Sequence, residues 1–340
     1  MRSKKLGAKD QAIPILVGYI FESIGEVTGM KQIVVLAEVG DPHLKELNVI
    51  NDWANVTICN TEEALKKDID QAEILLLWEP RFFRLLKSAF PKTRSLKWIH
   101  TRSAGVDSHL FPELVDSHVI LTNSKGIYSS SLSEFVIAAI LFFAKGFRRM
   151  LRSQQAHTWD PFKVTDVRGQ TLGIVGLGDI GKRIASRAHC LGLRVLGCKQ
   201  NINEALGCDQ IEQLYAPDHL GEMLKQCDYV VICAPLTPAT RGMIDEPALR
   251  TMKPNGVIIN IGRGPVVQEA ALIRALREGW IKGAALDVFN EEPLSPDSPL
   301  FETYFCRPTV QTSRRMFFGL RPAFSLRISY VTSTANRCST

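Results

Sequence analysis

Residues 171–192 read TLGIVGLGDIGKRIASRAHCLG. An apolar run is followed by Gly176, Gly178 and Gly181 in G-x-G-x-x-G spacing, then by a helical stretch. Gly176 permits a tight turn, Gly178 lets the backbone approach a pyrophosphate, and Gly181 lets helix and strand pack closely. The helix opening at Asp179 and Ile180 offers free N–H groups and the positive end of its dipole to phosphates. The glycine spacing alone is a weak signal. Here it stands between one strand pattern and the next, RVLGC (194–198), which makes residues 176, 178, 179, 180 and 181 candidate dinucleotide-binding residues.

Working outward, the same alternation of strand and helix patterns runs along most of the chain. Downstream strand patterns are YVVICA (229–234), GVIINIG (256–262) and GAALDVF (283–289). The helices between them are DIGKRIASRAHCLG, HLGEMLKQC, EPALRTM and QEAALIRALREG. The strand runs are nearly all apolar, as strands covered on both faces should be. Upstream, IVVLAEV (33–39), EILLLW (73–78), LKWIHT (96–101) and VILTNS (119–124) form an earlier series, with helical candidates such as ELNVINDW and RFFRLLKSAF. The fold class is therefore α/β, with two doubly wound parallel-sheet domains. One long helix is expected over SSSLSEFVIAAILFFAKGFRRMLRSQQ (129–155), capped by Ser131 or its neighbours with Glu134 as capping-box partner.

Composition sets the outer bounds. A chain of 340 residues accommodates two domains, and 45% apolar content can bury their cores. None of the eight cysteines forms a C-x-x-C pair, so reduced, buried thiols in a cytoplasmic protein are expected, with no disulfide and no metal site. No apolar run reaches the ~18–20 residues of a membrane span. Residues 302–340 hold six arginines and the single acid Glu302, and so carry +5 of the formal +6 charge. The body is close to neutral, which makes no case for a nucleic-acid surface, since that needs a basic stripe on a folded face. Residues 1–29, ahead of the first clean strand, read as an extension outside the fold.

An acidic residue about 20 positions past the glycine loop serves the ribose of NAD. Lys199, 18 residues after Gly181, occupies that place instead. A cation there suits the 2′-phosphate of NADP, so NADP is favoured over NAD.

The ordered motifs HTRSAGVDS (100–108), GLGDIG, APLTPATRGMID (234–245), MKPNGVIINIGRGPVVQEAALIRAL (252–276) and GAALDVFNEEPL (283–294) resemble the D-isomer-specific 2-hydroxyacid dehydrogenases, notably the glyoxylate/hydroxypyruvate reductase-like branch. The resemblance spans about residues 30–301. It implies a flavodoxin-like substrate domain (30–124) and an NAD(P)-binding Rossmann domain (125–293). It also implies hydride transfer between nicotinamide and a small 2-oxo or 2-hydroxy acid. By that resemblance Ala104, Gly105 and Val106 hold the substrate carboxylate through backbone N–H groups. Arg263 is the catalytic arginine and Glu292, immediately before Pro293, orients a histidine. Asp287 contacts the nicotinamide carboxamide, and Pro235, Thr240, Ile261 and Gly262 line the cofactor. A homodimer through the long helix and the HTWDPF arm (157–162) is implied too.

One member of the set is missing. The family's proton donor is a histidine in a P-H motif about 20 residues past the glutamate. The seven histidines here are residues 43, 100, 109, 118, 157, 189 and 219, and the expected stretch reads YFCRPTVQTSRRMFF. His100 lies on a strand and reads as structural; His189 and His219 fall in the helices of the second domain. Residues 294–340 read as an atypical tail in place of the family's return to the substrate domain. The expected consequence is impaired catalysis with cofactor binding retained. The alternatives are a catalytically dead NAD(P)-binding protein, either a corepressor-like sensor or a nonproductive isoform.

Overall fold

The computed structural model describes residues 30–106, 109–202, 209–303 and 305–306. The expected extension 1–29 and the tail from residue 307 onward, including the place of the absent histidine, lie outside the described residues. The chain divides into two units between Ile127 and Tyr128.

The first unit is a five-stranded parallel sheet of β1 (Lys31–Leu36), β2 (Ala54–Cys59), β3 (Ile74–Leu77), β4 (Trp98–Thr101) and β5 (Ile120–Asn123), in the order β2-β1-β3-β4-β5. Side chains alternate across a strand, so β1 feeds two cores. Val34 and Leu36 pack with Leu65, Leu86 and Ile99 on one face, while Ile33 and Val35 pack with Leu44, Leu47 and Ile50 on the other. The helices are α1 (Glu62–Asp68), α2 (Phe83–Ala89) and α3 (Pro112–Val115). Thr61 caps α1 by accepting from Ala64 N, with acids in the first turn and lysines in the last, as the helix dipole favours. The stretch ELNVINDW is not an α-helix. It straddles the end of a 3-10 segment, Pro42–Ile50, opened by Asp41 accepting from His43 N. β2 follows directly; it is an edge strand and lacks the all-apolar signature.

The second unit is a seven-stranded parallel sheet of β6 (Thr171–Val175), β7 (Arg194–Cys198), β8 (Gln213–Tyr215), β9 (Tyr229–Ile232), β10 (Val257–Asn260), β11 (Gly283–Leu286) and β12 (Phe305–Cys306). Its order is β12-β11-β10-β9-β6-β7-β8, so the winding direction reverses between β6 and β9. Ligands of open α/β sheets bind outside the carboxyl ends of the strands at such a reversal. Every residue of β6, β9, β10 and β11 is buried. The helices are α4 (Ser129–Ala144), α5 (Phe147–Gln155), α6 (Asp179–Cys190), α7 (Leu220–Leu224), α8 (Glu246–Thr251), α9 (Glu269–Arg277) and α10 (Leu300–Thr303).

The expected long helix over 129–155 is in fact two, α4 and α5, bent by 65°. Gly146 between them is left-handed (φ +65°), and a side chain there would meet the Phe162 ring at 2.6 Å. Ser131 does not cap α4, which already begins at Ser129; Ser130 Oγ donates to Glu134 Oε1 at 3.0 Å instead. Phe135, Val136, Ala139 and Ile140 of α4 pack into the core between β6 and β10. Among the described residues no single helix is long and apolar enough to cross a membrane.

Candidate active site

The glycine loop is built as its spacing requires. β6 ends at Val175, and Gly176 turns the chain with φ +100°. A Cβ at Gly176 would stand 2.6 Å from Ala234 N, and one at Gly181 would overlap Gly176 O. The close approach of α6 to the sheet therefore depends on both glycines. Gly178 is the contrast, since no atom lies within 4 Å of its Cβ position. It is also the N-cap of the twelve-residue α6 and has no side chain with which to cap it. An open cradle at an uncapped helix N-terminus fits the pyrophosphate of a dinucleotide. Asp179 is in the first turn of α6, where it accepts a hydrogen bond from Ser129 Oγ.

Lys199 adjoins this loop. Gly176 N–H donates to Cys198 O at 2.9 Å, and Lys199 N–H donates to Tyr215 O at 3.1 Å. The end of β7 is thus tied to the first glycine on one side and to β8 on the other.

The neighbouring strand ends close the rim. After β9, Thr240 Oγ1 donates to Pro235 O (2.6 Å) and accepts from Thr237 N (2.8 Å), which fixes the proline turn. After β10, Ile261 N–H donates to Ile232 O, and a Cβ at Gly262 would lie 2.8 Å from Ala234 O. Arg263 follows, its Nη1 donating to Gly262 O at 2.8 Å. A Cβ at Gly264 would overlap Phe289 O, so the arginine loop lies backbone to backbone against the loop after β11. In that loop Asp287 is buried at 4% exposure, and Glu292 Oε1 accepts from Phe289 N at 3.0 Å. The structure thereby gathers residues 176–181, 199, 235, 240, 261–263, 287 and 292 beyond the carboxyl ends of the second unit's strands.

The SAG turn belongs to the first unit. Ala104, Gly105 and Val106 follow β4; Ala104 O accepts from Asn123 Nδ2 at 2.5 Å and Val106 O accepts from His109 N at 2.8 Å. His100, on β4, lies near Thr122 Oγ1 (Nδ1, 2.8 Å) and Ser124 Oγ (Nε2, 3.3 Å). Burial pulls its pKa down to about 4, so it is a neutral, hydrogen-bonded imidazole near neutral pH. His219 pairs with Glu222, whose carboxylate holds its pKa above the usual imidazole value, and His189 is an exposed residue of α6. No histidine stands in the loops that follow β6, β9, β10 and β11.

Two residues that position the site escaped the sequence reading. Asn260, 1% exposed, accepts from Gly262 N (3.1 Å) and donates to Arg263 O (3.0 Å), bracketing the arginine's backbone. A polar residue closing the apolar strand VIIN was the available signal. Ser129 had none, because its partner Asp179 is distant in sequence.

Comparison with known proteins agrees with this geometry. The profile of the D-isomer specific 2-hydroxyacid dehydrogenase NAD binding domain matches residues 137–309. The chain is 32% identical over 300 residues to glyoxylate reductase of Thermofilum pendens, covering 83% of this chain and 86% of that protein. It is 31% identical over 271 residues to D-3-phosphoglycerate dehydrogenase of Methanocaldococcus jannaschii; that match takes in 77% of this chain but only 50% of the relative's length. Among solved structures, the D-isomer specific 2-hydroxyacid dehydrogenase of Xanthobacter autotrophicus Py2 in complex with NADPH and MES superposes with a TM-score of 0.72. It is 27% identical, and the match covers 85% of this chain and 91% of that one. The NADPH-dependent glyoxylate/hydroxypyruvate reductase of Sinorhizobium meliloti, 23% identical, shares the fold with a TM-score of 0.73 over 84% of this chain and 92% of its own. In sequence and in fold, the chain belongs to the D-isomer-specific 2-hydroxyacid dehydrogenase family.

Proposed function

We propose that this chain is an NADP-preferring oxidoreductase for a small 2-oxo acid such as glyoxylate or hydroxypyruvate, retaining its cofactor site but lacking its proton donor. The observation that carries the reading is the glycine-stitched rim at the strand ends, together with the absence of any histidine beyond His219. In this reading Gly176, Gly178, Asp179, Ile180 and Gly181 receive the pyrophosphate at the N-terminus of α6. Lys199 faces the 2′-phosphate as a cation, where an acid would have accepted from a 2′-hydroxyl. Pro235, Thr240, Ile261 and Gly262 line the cofactor and Asp287 meets its carboxamide. The nicotinamide, when bound, supplies the hydride.

The substrate side follows the family resemblance, and its chemistry is that of anion recognition. Ala104, Gly105 and Val106 offer backbone N–H groups to the carboxylate, and Arg263 presents its fork of donors to carboxylate and carbonyl oxygens. No histidine follows His219 in the sequence to take the family's proton-donor role. Losing a general acid costs ~10²–10⁴-fold in rate. The free cysteines among the described residues accord with a reducing, cytoplasmic setting. The exposed Phe147, Met150, Leu151 and Trp159 on α5 and the arm after it suit a homodimer interface. The missing histidine equally favours a second reading, a nucleotide sensor without turnover.

The test is titration of the full chain with NADPH and NADH by quenching of tryptophan fluorescence, beside oxidation of each with glyoxylate and hydroxypyruvate. NADPH is expected to bind about tenfold or more tightly than NADH, a difference of ~1.4 kcal/mol. Lys199→Asp should abolish or invert the preference. Equal affinities would contradict the NADP assignment, and failure of both to bind would contradict the cofactor site. Binding with no turnover above background would favour the sensor.

A further inference from the structure

Cys233 lies just past β9, under the glycine loop, and the cofactor reading gives it no role. Its backbone N–H donates to Val175 O at 2.9 Å, in register with β6. Its thiol donates to Gly176 O, with Sγ and O 2.7 Å apart. The same oxygen is also approached by Gly181, whose added Cβ would overlap Gly176 O and stand 3.3 Å from Cys233 Sγ. The carbonyl of Gly176 thus lies close to both Cys233 and Gly181.

That carbonyl belongs to a peptide that begins at a glycine. Gly176 has φ +100°, and glycine adopts several backbone states at similar energy, so the Gly176–Leu177 peptide has little intrinsic resistance to flipping. A trans peptide is planar, with its C=O and the next N–H pointing in opposite directions. Holding Gly176 O against Cys233 therefore turns Leu177 N–H away from β9.

We propose that Cys233 is a positioning residue for the dinucleotide's pyrophosphate: its thiol locks the Gly176–Leu177 peptide so that Leu177 N–H points at the phosphates. The inference rests on the glycine loop being the dinucleotide site. Burial pushes the Cys233 thiol up to about 12, so it remains a protonated donor over the working pH range. The residue is half-buried, and its sulfur is turned onto Gly176 O.

The experiment compares Cys233→Val, close in volume but without a donor, with Cys233→Ser, which keeps one. The full chain and both variants are titrated with NADPH and with adenosine 2′-monophosphate, which lacks the pyrophosphate. Cys233→Val should weaken NADPH binding roughly five- to tenfold, the worth of one hydrogen bond. Its affinity for adenosine 2′-monophosphate should stay within about twofold of the parent, and Cys233→Ser should restore NADPH binding to about the same margin. Should Cys233→Val fail to fold, Cys233→Ala, which cannot overpack, carries the same expectations. Unchanged NADPH affinity in the donorless variant would overturn the role of Cys233. So would equal weakening toward both ligands, since a purely structural lesion moves them together. Failure of the parent chain to bind NADPH would instead overturn the cofactor reading, and this inference with it.

Discussion

Gly178 and Gly264 make opposite demands. Gly178 has ordinary backbone angles (φ −84°, ψ −160°) and open space around its Cβ position. Gly178→Ala should leave stability within about 0.5 kcal/mol of the parent while weakening NADPH binding tenfold or more, because the methyl occupies the space a pyrophosphate needs. Gly264→Ala should do the reverse first. Its methyl would overlap backbone atoms of Phe289, which cannot rotate aside, so a loss of about 3 kcal/mol or more is expected in urea unfolding. A Gly178→Ala variant that binds NADPH normally would remove the loop from the cofactor site. The glycines at 176, 178 and 181 were legible because each sits in a fixed spacing. Gly264 drew no notice, since its reason, the Phe289 carbonyl, comes from a different loop. Cys233 was read only as one more buried thiol.

Interior strands announced themselves; of the edge strands only β5 did. β6, β9, β10 and β11 are wholly buried and read as apolar runs. β2 and β8, at the edges of their sheets, escaped, because a strand with one neighbour keeps polar residues and carries a weaker pattern, and β12 escaped because it is only two residues long. The 129–155 stretch looked continuous because its helical pattern runs through Gly146; the break is fixed by Phe162, beyond that stretch. β4 and β5 carry a pH dependence that follows from His100. Its native pKa of about 4 lies below the ordinary 6.5. The folded state therefore binds fewer protons than the unfolded state as pH falls from about 6.5 to 4, and stability declines across that window. Above it the contribution is constant. The decline should reach roughly 3 kcal/mol at the lower end. His100→Gln should flatten that part of the profile in urea midpoints measured between pH 7 and 4.5. An unchanged slope would show that His100 accepts its proton inside the fold.

For the molecule as a whole, the order of motifs carried more than any one of them. The alternation of elements gave two parallel sheets, and the motifs placed the strand-end loops in the order the second unit gathers them. The loops' mutual packing was not legible, because it is made by glycines against the backbone of residues distant in sequence. The composition of the tail was legible as well: its arginines carry nearly all of the formal charge, and it holds no histidine. The proposed function joins a retained cofactor rim to a missing proton donor. Its most direct test is NADPH oxidation by glyoxylate and hydroxypyruvate, run on this chain and on a version whose residues 302–340 are replaced by the corresponding P-H-bearing terminus of a family member. The replaced version should turn over about 10²-fold faster or more, at unchanged NADPH affinity. Equal turnover in the two would mean that another group delivers the proton and that the site is complete as it stands.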